Sequence, residues 1–318
     1  MSVAWGLLST APINRLILDA VRESDLAEVV AVGSRDQDRA EAYAREHGIP
    51  RAHGSYKELL TDPDVEAVYV SVPNSLHVPW TLRALEAGKH VLCEKPFSRH
   101  ADEVERVFDA AESAGLVVSE GFMWRHHPQT ATLVRLLEEG TIGALRLVRV
   151  GFSFPLEIDR GPDDARFSAE LDGGALMDLG CYCISAIRLV AGEPASLVGK
   201  QVVGTTGVDV IFTGAFTHAD EVLSHFDCSF VVPRRAELEV LGEEGSLFVT
   251  TPFVITSPGI ELRRDGEVKQ VVVEEADSYR LELDNVSAAI RGEAPLLLGR
   301  EDAVAQARTI EALYESAA

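Results

Sequence analysis

The first 121 residues alternate between short, continuously apolar runs and stretches with helical periodicity. Residues 3–8 form an uninterrupted apolar run, and residues 13–22 carry apolar side chains on one helical face. The same two patterns predict strands at 28–32, 67–72, 90–93 and 116–119 and helices at 39–46, 56–60, 79–87 and 101–114. Strands that are apolar throughout are typical of a parallel sheet covered by helices on both faces. We therefore predict a doubly wound parallel α/β domain over residues 1–121.

The pattern changes after a helix predicted at 129–138. Successive β-branched strands are predicted at 145–154, 197–203, 208–217, 221–230, 236–241 and 246–249, and helices at 183–191, 281–291 and 300–316. Residues 151–172 have the irregular pattern of a loop. We predict that residues 122–318 form an α+β domain with a large open, mostly antiparallel sheet, and that the sheet's exposed face mediates a homodimer or homotetramer.

Composition and charge narrow the class of protein. The chain has 29 basic and 51 acidic residues, a net charge of −22, which disfavours binding to nucleic acid or to anionic membranes. No apolar run reaches the ~18 residues of a membrane span, and the N-terminus lacks the pattern of an export signal. The four cysteines form no Cys-x-x-Cys pair, so we expect reduced thiols and a cytoplasmic location.

The first predicted strand leads into a loop that resembles a degraded dinucleotide-binding turn. In such turns three small positions let the backbone approach a pyrophosphate at a helix N-terminus. Here those positions hold Ser9, Ala11 and Asn14, none of them glycine, so an ordinary strand–turn–helix stays an alternative. The candidate cofactor contacts in this loop are Ser9, Thr10, Ala11, Ile13 and Asn14.

The residues at the end of the second strand indicate whether NAD or NADP is the preferred cofactor. An acid at this place binds the ribose hydroxyl of NAD, whereas an arginine pairs with the 2′-phosphate of NADP. Ser34, Arg35 and Arg39 favour NADP over NAD, although Asp36 would present an acid after a small register change.

Two further strand ends supply candidate chemistry. Pro73, Asn74 and His77 follow the strand at 67–72, where they would contact ribose or nicotinamide; capping of the next helix by Asn74 or Ser75 is an equal alternative. Lys95 follows the strand at 90–93 in a chain with 5 Lys and 24 Arg. Because lysine changes its protonation state when desolvated and arginine does not, Lys95 is a candidate proton donor or acceptor.

Three segments together resemble the glucose–fructose oxidoreductase / inositol dehydrogenase / MocA family. They are Pro73-Asn74-x-x-His77, Glu94-Lys95-Pro96 and Asp172-Gly173-Gly174-Ala175-Leu176-Met177-Asp178-Leu179-Gly180-Cys181-Tyr182, and they occur in the family's order. Within the family the chain is most similar to dihydrodiol dehydrogenases and NADP-dependent sugar 1-dehydrogenases. The resemblance implies a Rossmann-type N-terminal domain, a nicotinamide cofactor contacted by Glu94 and Lys95, a role for Lys95 in proton transfer, and a cis Lys95–Pro96 peptide.

One position departs from many members, which have histidine where this chain has Tyr182. A tyrosine hydroxyl beside a lysine ammonium can pass a proton, so we predict a catalytic Lys95–Tyr182 pair. Asp178 would hold Lys95 or bind a substrate hydroxyl, and Asp178 and Tyr182 are also candidate substrate contacts. The alternative is that Asp178 caps the following helix and Tyr182 packs in the core. Gly173 and Gly174 are expected to let this segment approach a ligand closely.

The segment between the two domains offers substrate contacts. Trp124, Arg125 and His127 are candidates, with Trp124 stacking on a sugar or diol ring. The adjacent His126 and His127 suggest a metal site, but no Cys, His or Asp partner stands at ligand spacing from them. We therefore expect no bound metal. We predict an NADP(H)-dependent oxidoreductase acting on a secondary alcohol or hemiacetal of a sugar or cyclic diol. There are two alternatives. One is an enzyme that retains its cofactor, either a sugar–sugar oxidoreductase or a redox-assisted glycosidase. The other is a non-catalytic dinucleotide sensor.

Overall fold

The computed structural model describes residues 1–156 and 164–317, and it divides into two compact units. The first contains Met1–Met123 together with Asp277–Val304, and the second contains Trp124–Ala276 together with Ala305–Ala318. The predicted domain boundary between residues 121 and 122 lies within two residues of the position where the chain first passes from the first unit to the second, between Met123 and Trp124. The prediction of one continuous C-terminal domain is wrong, because residues 277–304 return to the first unit.

The first unit is built on a six-stranded sheet in which every strand pair is parallel. Its strand order is β3-β2-β1-β4-β5-β6, which confirms the predicted Rossmann-type fold. The strands are β1 (Val3–Leu8), β2 (Ala27–Gly33), β3 (Arg51–His53), β4 (Ala67–Val70), β5 (His90–Glu94) and β6 (Val118–Gly121). The helices are α1 (Asn14–Val21), α2 (Gln37–His47), α3 (Tyr56–Thr61), α4 (His77–Glu86) and α5 (Ala101–Ala114).

The second unit is built on an eight-stranded sheet of order β14-β13-β12-β11-β7-β10-β9-β8. It is antiparallel except between β7 and β10, as the predicted mostly antiparallel sheet requires. Its strands are β7 (Leu145–Ser153), β8 (Ser196–Val203), β9 (Asp209–Thr217), β10 (Leu223–Ser229), β11 (Arg235–Gly242), β12 (Ser246–Val249), β13 (Ile260–Arg264) and β14 (Glu267–Val271). Its helices include α6 (Pro128–Glu138) and α7 (Cys181–Ala191). Two later helices are α8 (Ser278–Arg291) and α9 (Arg300–Ala317).

Side-chain contacts explain why α8 belongs to the first unit. Leu283 and Val286 are fully buried in the core cluster that also contains residues of β1, β2 and α1. The Trp5 indole nitrogen donates to Ser287 Oγ at 3.1 Å. Burial of apolar side chains dominates folding energetics, and each such side chain contributes about 1.5–3 kcal/mol. These contacts join residues about 280 positions apart, so local pattern carries no sign of them.

Three strands were missed from sequence: β3, β13 and β14. Each has at most five residues, and β14 is exposed along almost its whole length, so an apolar pattern is lacking. Of the loop expected at 151–172, residues 157–163 lie outside the described part of the chain, while residues 151–153 continue β7. The segment Ala169–Ala191 is long and apolar enough to cross a membrane by composition, but most of it is buried inside the protein, as in a core helix.

Candidate active site

The loop after β1 is held by a closed hydrogen-bond network at the carboxyl edge of the parallel sheet. Ser9 Oγ lies 2.8 Å from Ser71 Oγ, and Ser71 Oγ donates to Asn14 Oδ1 at 2.6 Å. The Asn14 amide donates back to the Ser9 carbonyl at 2.8 Å, and Ser9 Oγ accepts from the Ala11 N–H. Ser9 has φ +152°, a conformation that favours glycine. The network therefore lets a serine occupy the first glycine position of a dinucleotide loop.

The end of β2 presents arginine rather than acid. Asp36 is the N-cap of α2, since its side chain accepts the Arg39 N–H at 2.8 Å. Arg35 and Arg39 are exposed, and both lower the pKa of Tyr56 electrostatically, although burial dominates and leaves that pKa raised. Ser34 is buried and its N–H donates to the His53 carbonyl. Two guanidinium groups thus lie near Tyr56, while one oxygen of the Asp36 carboxylate is used as a helix cap, an arrangement that suits a phosphate monoester.

The segment after β4 begins α4 earlier than predicted and does not place Asn74 or Ser75 at its N-cap. Residues Asn74–Leu76 form a 3-10 turn that leads into α4 at His77, and the N-cap position Leu76 makes no side-chain cap hydrogen bond. Capping of α4 by Asn74 or Ser75 is therefore wrong. His77 is 1% exposed, and its Nδ1 and Nε2 lie 2.8 Å from the carbonyl oxygens of Pro96 and Val72. Burial lowers the pKa of His77 to about 4, although the two carbonyls act in the opposite direction. The neutral ring carries one N–H and donates to one of these two carbonyls, and both nitrogens face backbone, so the imidazole is directed toward the backbone in this structure.

Lys95 follows β5 directly and is partly exposed at the same edge of the sheet. The Lys95–Pro96 peptide is cis, as the resemblance implied. The preceding Glu94 accepts a hydrogen bond from the buried Tyr69 hydroxyl. The buried carboxyl of Glu282 in α8 has a pKa well above its ordinary range, chiefly from desolvation and also from the charge of Glu94.

The glycines at 173 and 174 are required by the protein's own packing, and their close approach to a ligand stays a prediction. A Cβ at Gly173 would lie 2.5 Å from the Arg166 carbonyl oxygen. Gly174 has φ +125°, and a Cβ there would lie 2.2 Å from Asp209 Oδ1. Asp209 is 3% exposed and accepts from the Leu176 N–H at 2.7 Å, so these glycines let a buried carboxylate anchor the motif.

Asp178 lies inside a π-helical turn, Leu176–Gly180, that runs into α7. The N-cap of α7 is Gly180, so the alternative that Asp178 caps this helix is wrong. Single π-turns within helices occur frequently at functional sites. Tyr182 is 7% exposed, and its ring packs against Phe152 and Phe253 at centroid distances of 5.6 and 5.4 Å. The aromatic cluster fixes the direction of the Tyr182 ring.

Of the three substrate candidates at 124–127, two are core residues. Trp124 is 1% exposed and meets Phe253 edge-on at 5.5 Å, so stacking on a substrate ring is not its role in this structure. His127 is also 1% exposed and caps α6, accepting the Gln129 N–H at Nδ1. Arg125 is only partly buried, with its guanidinium 5.7 Å from the Trp124 ring. Arg125 alone keeps a position suited to a ligand.

Two neighbours of the site were missed from sequence. Ser71 closes the loop network, and its place directly after an apolar strand was a usable signal. Arg166 pairs with Asp164 at 2.6 Å and also experiences the charge of Asp178. Its carbonyl accepts the Gly174 N–H, which joins residues 164–174 to the motif. No sequence pattern marks this contact, since it depends on the course of an irregular loop.

A doubly wound parallel sheet with a tight first loop and a lysine at its carboxyl edge defines a dinucleotide-dependent oxidoreductase. The chain belongs to the Gfo/Idh/MocA oxidoreductase family. Residues 10–122 match the family's NAD-binding Rossmann-fold model, and residues 130–248 match its C-terminal domain model. The predicted family and enzyme class are therefore confirmed.

The chain is similar to curated relatives over most or nearly all of its length. It is 38% identical to D-xylose 1-dehydrogenase (NADP(+)) 2 of Haloferax volcanii, over 98% of this chain and 97% of the relative. It is 35% identical to human trans-1,2-dihydrobenzene-1,2-diol dehydrogenase, over 79% and 75%. A crystal structure of a 3-ketoreductase from Actinomadura kijaniata, in complex with NADP and TDP-benzene, superposes with a TM-score of 0.93 at 31% identity, covering 100% of this chain and 98% of that one.

Proposed function

We propose that this protein is an NADP(H)-dependent oxidoreductase that oxidises a secondary alcohol or hemiacetal carbon of a sugar or cyclic diol, or reduces the corresponding carbonyl. The observation that carries the proposal is the placement of Lys95 at the carboxyl edge of the parallel sheet, where the Ser9 loop also lies. Ligands of open α/β sheets bind at this edge. The relatives that act on xylose and on a dihydrodiol support the substrate class.

The residues fit an NADP cofactor. The Ser9–Ser71–Asn14 network fixes a backbone able to approach a pyrophosphate, and Arg35 and Arg39 supply donors for a 2′-phosphate. When bound, the cofactor accepts or supplies a hydride at its nicotinamide ring.

Lys95 then transfers the proton of the reacting hydroxyl, and Tyr182 acts with it in the proton path. Structures of the 3-ketoreductase include variants in which a lysine or a tyrosine is replaced, which supports this choice of residue types. Asp178 and Arg125 are the proposed partners of the other substrate hydroxyls.

The test is a panel of pentoses, hexoses and trans-dihydrodiols assayed for NADPH and NADH formation. Lys95→Met should lower kcat by on the order of 10²–10⁴, the usual contribution of a general acid–base, and leave NADP affinity nearly unchanged. Lys269→Met, which alters a lysine that is 71% exposed, is the matched control and should retain full activity. Full turnover by Lys95→Met would overturn the mechanism, and a wild-type protein that binds NADP but turns over no substrate would favour a sensor.

We also propose self-association through the eight-stranded sheet and a cytoplasmic location. The outward face of β8 and β10 exposes Val198, Val202 and Leu223 to about half of their full areas. The neighbouring part of this face instead carries a charge ladder that includes Arg149, Glu239 and Arg263, so the expected apolar surface covers only part of the sheet. Val198→Glu should lower the mass measured by light scattering if the apolar part forms the contact. All four cysteines are free and buried, which suits a reducing compartment.

A further inference from the structure

Two buried polar side chains hold the turn that follows Lys95. His77 Nδ1 lies 2.8 Å from the Pro96 carbonyl oxygen, and Glu120 Oε1 accepts a hydrogen bond from the Phe97 N–H at 2.8 Å. His77 and Glu120 are each 1% exposed. Consecutive backbone groups directly after Lys95 are therefore fixed by side chains that solvent hardly reaches.

The two side chains approach the turn from opposite sides of β5. His77 stands at the start of α4, and its Nε2 lies 2.8 Å from the Val72 carbonyl oxygen, so the imidazole lies between the segment after β4 and the turn and donates to one of the two carbonyls. Glu120 lies on β6, in parallel register with Cys93 of β5. Gly121 lets the two strands approach, because a Cβ there would lie 3.1 Å from the Cys93 carbonyl oxygen. Helix α4, which follows β4, and strand β6 thus each contribute a side chain beside the turn after β5.

Burying a carboxyl group is costly unless its oxygens are engaged, and a buried imidazole pays a similar desolvation cost. Proton transfer, in contrast, needs the donor held within about 0.5 Å of its productive position. Both groups contact the turn beside Lys95, and holding that turn in place would account for the desolvation cost of burying them.

We propose that Glu120 and His77 are positioning residues that set the direction of the Lys95 side chain. They touch neither substrate nor cofactor in this assignment; they act through the backbone of Pro96 and Phe97. The inference rests on the proposed function, in which Lys95 transfers the proton.

The test compares Glu120→Leu with Glu120→Gln in the full-length protein. Leucine removes the acceptor oxygen, whereas glutamine keeps one. Glu103→Leu is the control, since Glu103 accepts from the Ser98 side chain at 2.7 Å in the next part of the same loop and does not touch the turn's backbone. We expect Glu120→Leu to lower kcat on the panel substrate that the wild type turns over fastest on the order of 100-fold, the cost of a misplacement of about 1 Å, with KM and the NADP dissociation constant within about two-fold. Glu120→Gln should restore most of kcat, and Glu103→Leu should not lower it.

His77→Leu serves as a second variant if Glu120→Leu does not fold, because it removes the N–H that can donate to these carbonyls. We expect the same loss in kcat with NADP binding retained. A folded Glu120→Leu or His77→Leu with wild-type kcat would overturn the proposal, as would a loss that falls equally on kcat and NADP affinity. If Lys95→Met is inactive while these variants are fully active, only the positioning role fails. If Lys95→Met is itself fully active, the proposed function fails.

Discussion

The capping carboxylate at the end of β2 gives a prediction about cofactor choice. Asp36 caps α2 through Oδ1, which accepts the Arg39 N–H, and the exposed guanidinium groups of Arg35 and Arg39 are the candidate partners of a phosphate. A hydrogen bond to a charged group is worth about 1.5–3 kcal/mol when shielded, and exposed ion pairs about 0.2–1 kcal/mol. We expect an exposed guanidinium that binds a phosphate to contribute about 1–2 kcal/mol to the binding free energy, which is a factor of about 5–30 in affinity.

Arg35→Ala should therefore raise the NADP dissociation constant by about 5–30-fold and leave that of NAD unchanged, as measured by titration calorimetry with each cofactor. Asp36→Ala should lower the free energy of unfolding by about 1 kcal/mol through loss of the cap and leave NAD binding unchanged. Asp36→Asn keeps a capping oxygen and is the control for stability. Equal weakening of NAD and NADP by Arg35→Ala, or a selective loss of NAD affinity in Asp36→Ala, would refute the reasoning.

Two further predictions concern stability. Gly174→Ala should destabilise the fold by about 3 kcal/mol or more, since its φ of +125° strains any side chain and its Cβ would overlap Asp209; an unchanged urea midpoint would contradict this. Hydrogen bonds from Arg291 lower the pKa of Glu66 from 4.5 to about 2. A depressed folded-state pKa stabilises the protein above pH 4.5, and this contribution is lost as the pH falls toward 2. Arg291→Ala should therefore flatten the fall of unfolding free energy over that window, and an unchanged slope would count against the ion pair.

Much of the candidate site was readable because its signals are local. Ser9, Ala11 and Asn14 were chosen for their spacing after a strand, and all three take part in the loop network. The capping role of Asp36 was readable in principle, because it stands three residues before Arg39. It was missed because the helix was predicted to begin at 39 rather than at Gln37.

Other assignments depended on which neighbours surround a side chain. His77 and His127 were predicted to meet ligands, because sequence reports an imidazole and not its environment. In the fold both ring nitrogens of His77 face backbone carbonyls, one of which accepts its N–H, and His127 caps a helix. Trp124 was predicted to stack on a substrate for the same reason and lies against Phe253 instead. The burial of a side chain and its hydrogen-bond partners depend on distant segments of the chain, so the periodicity of a local segment predicts neither.

The sequence by itself determined the alternation that makes a parallel sheet, the antiparallel second sheet and the place of Lys95 at a strand end. These follow from apolar periodicity and turn residues within windows of about ten positions. Only the tertiary structure decided that residues 277–304 return to the first unit and that Gly174 makes room for Asp209. It also decided that Glu120 holds the turn after Lys95. Such contacts join segments tens to hundreds of residues apart, and close packing, not local preference, selects them.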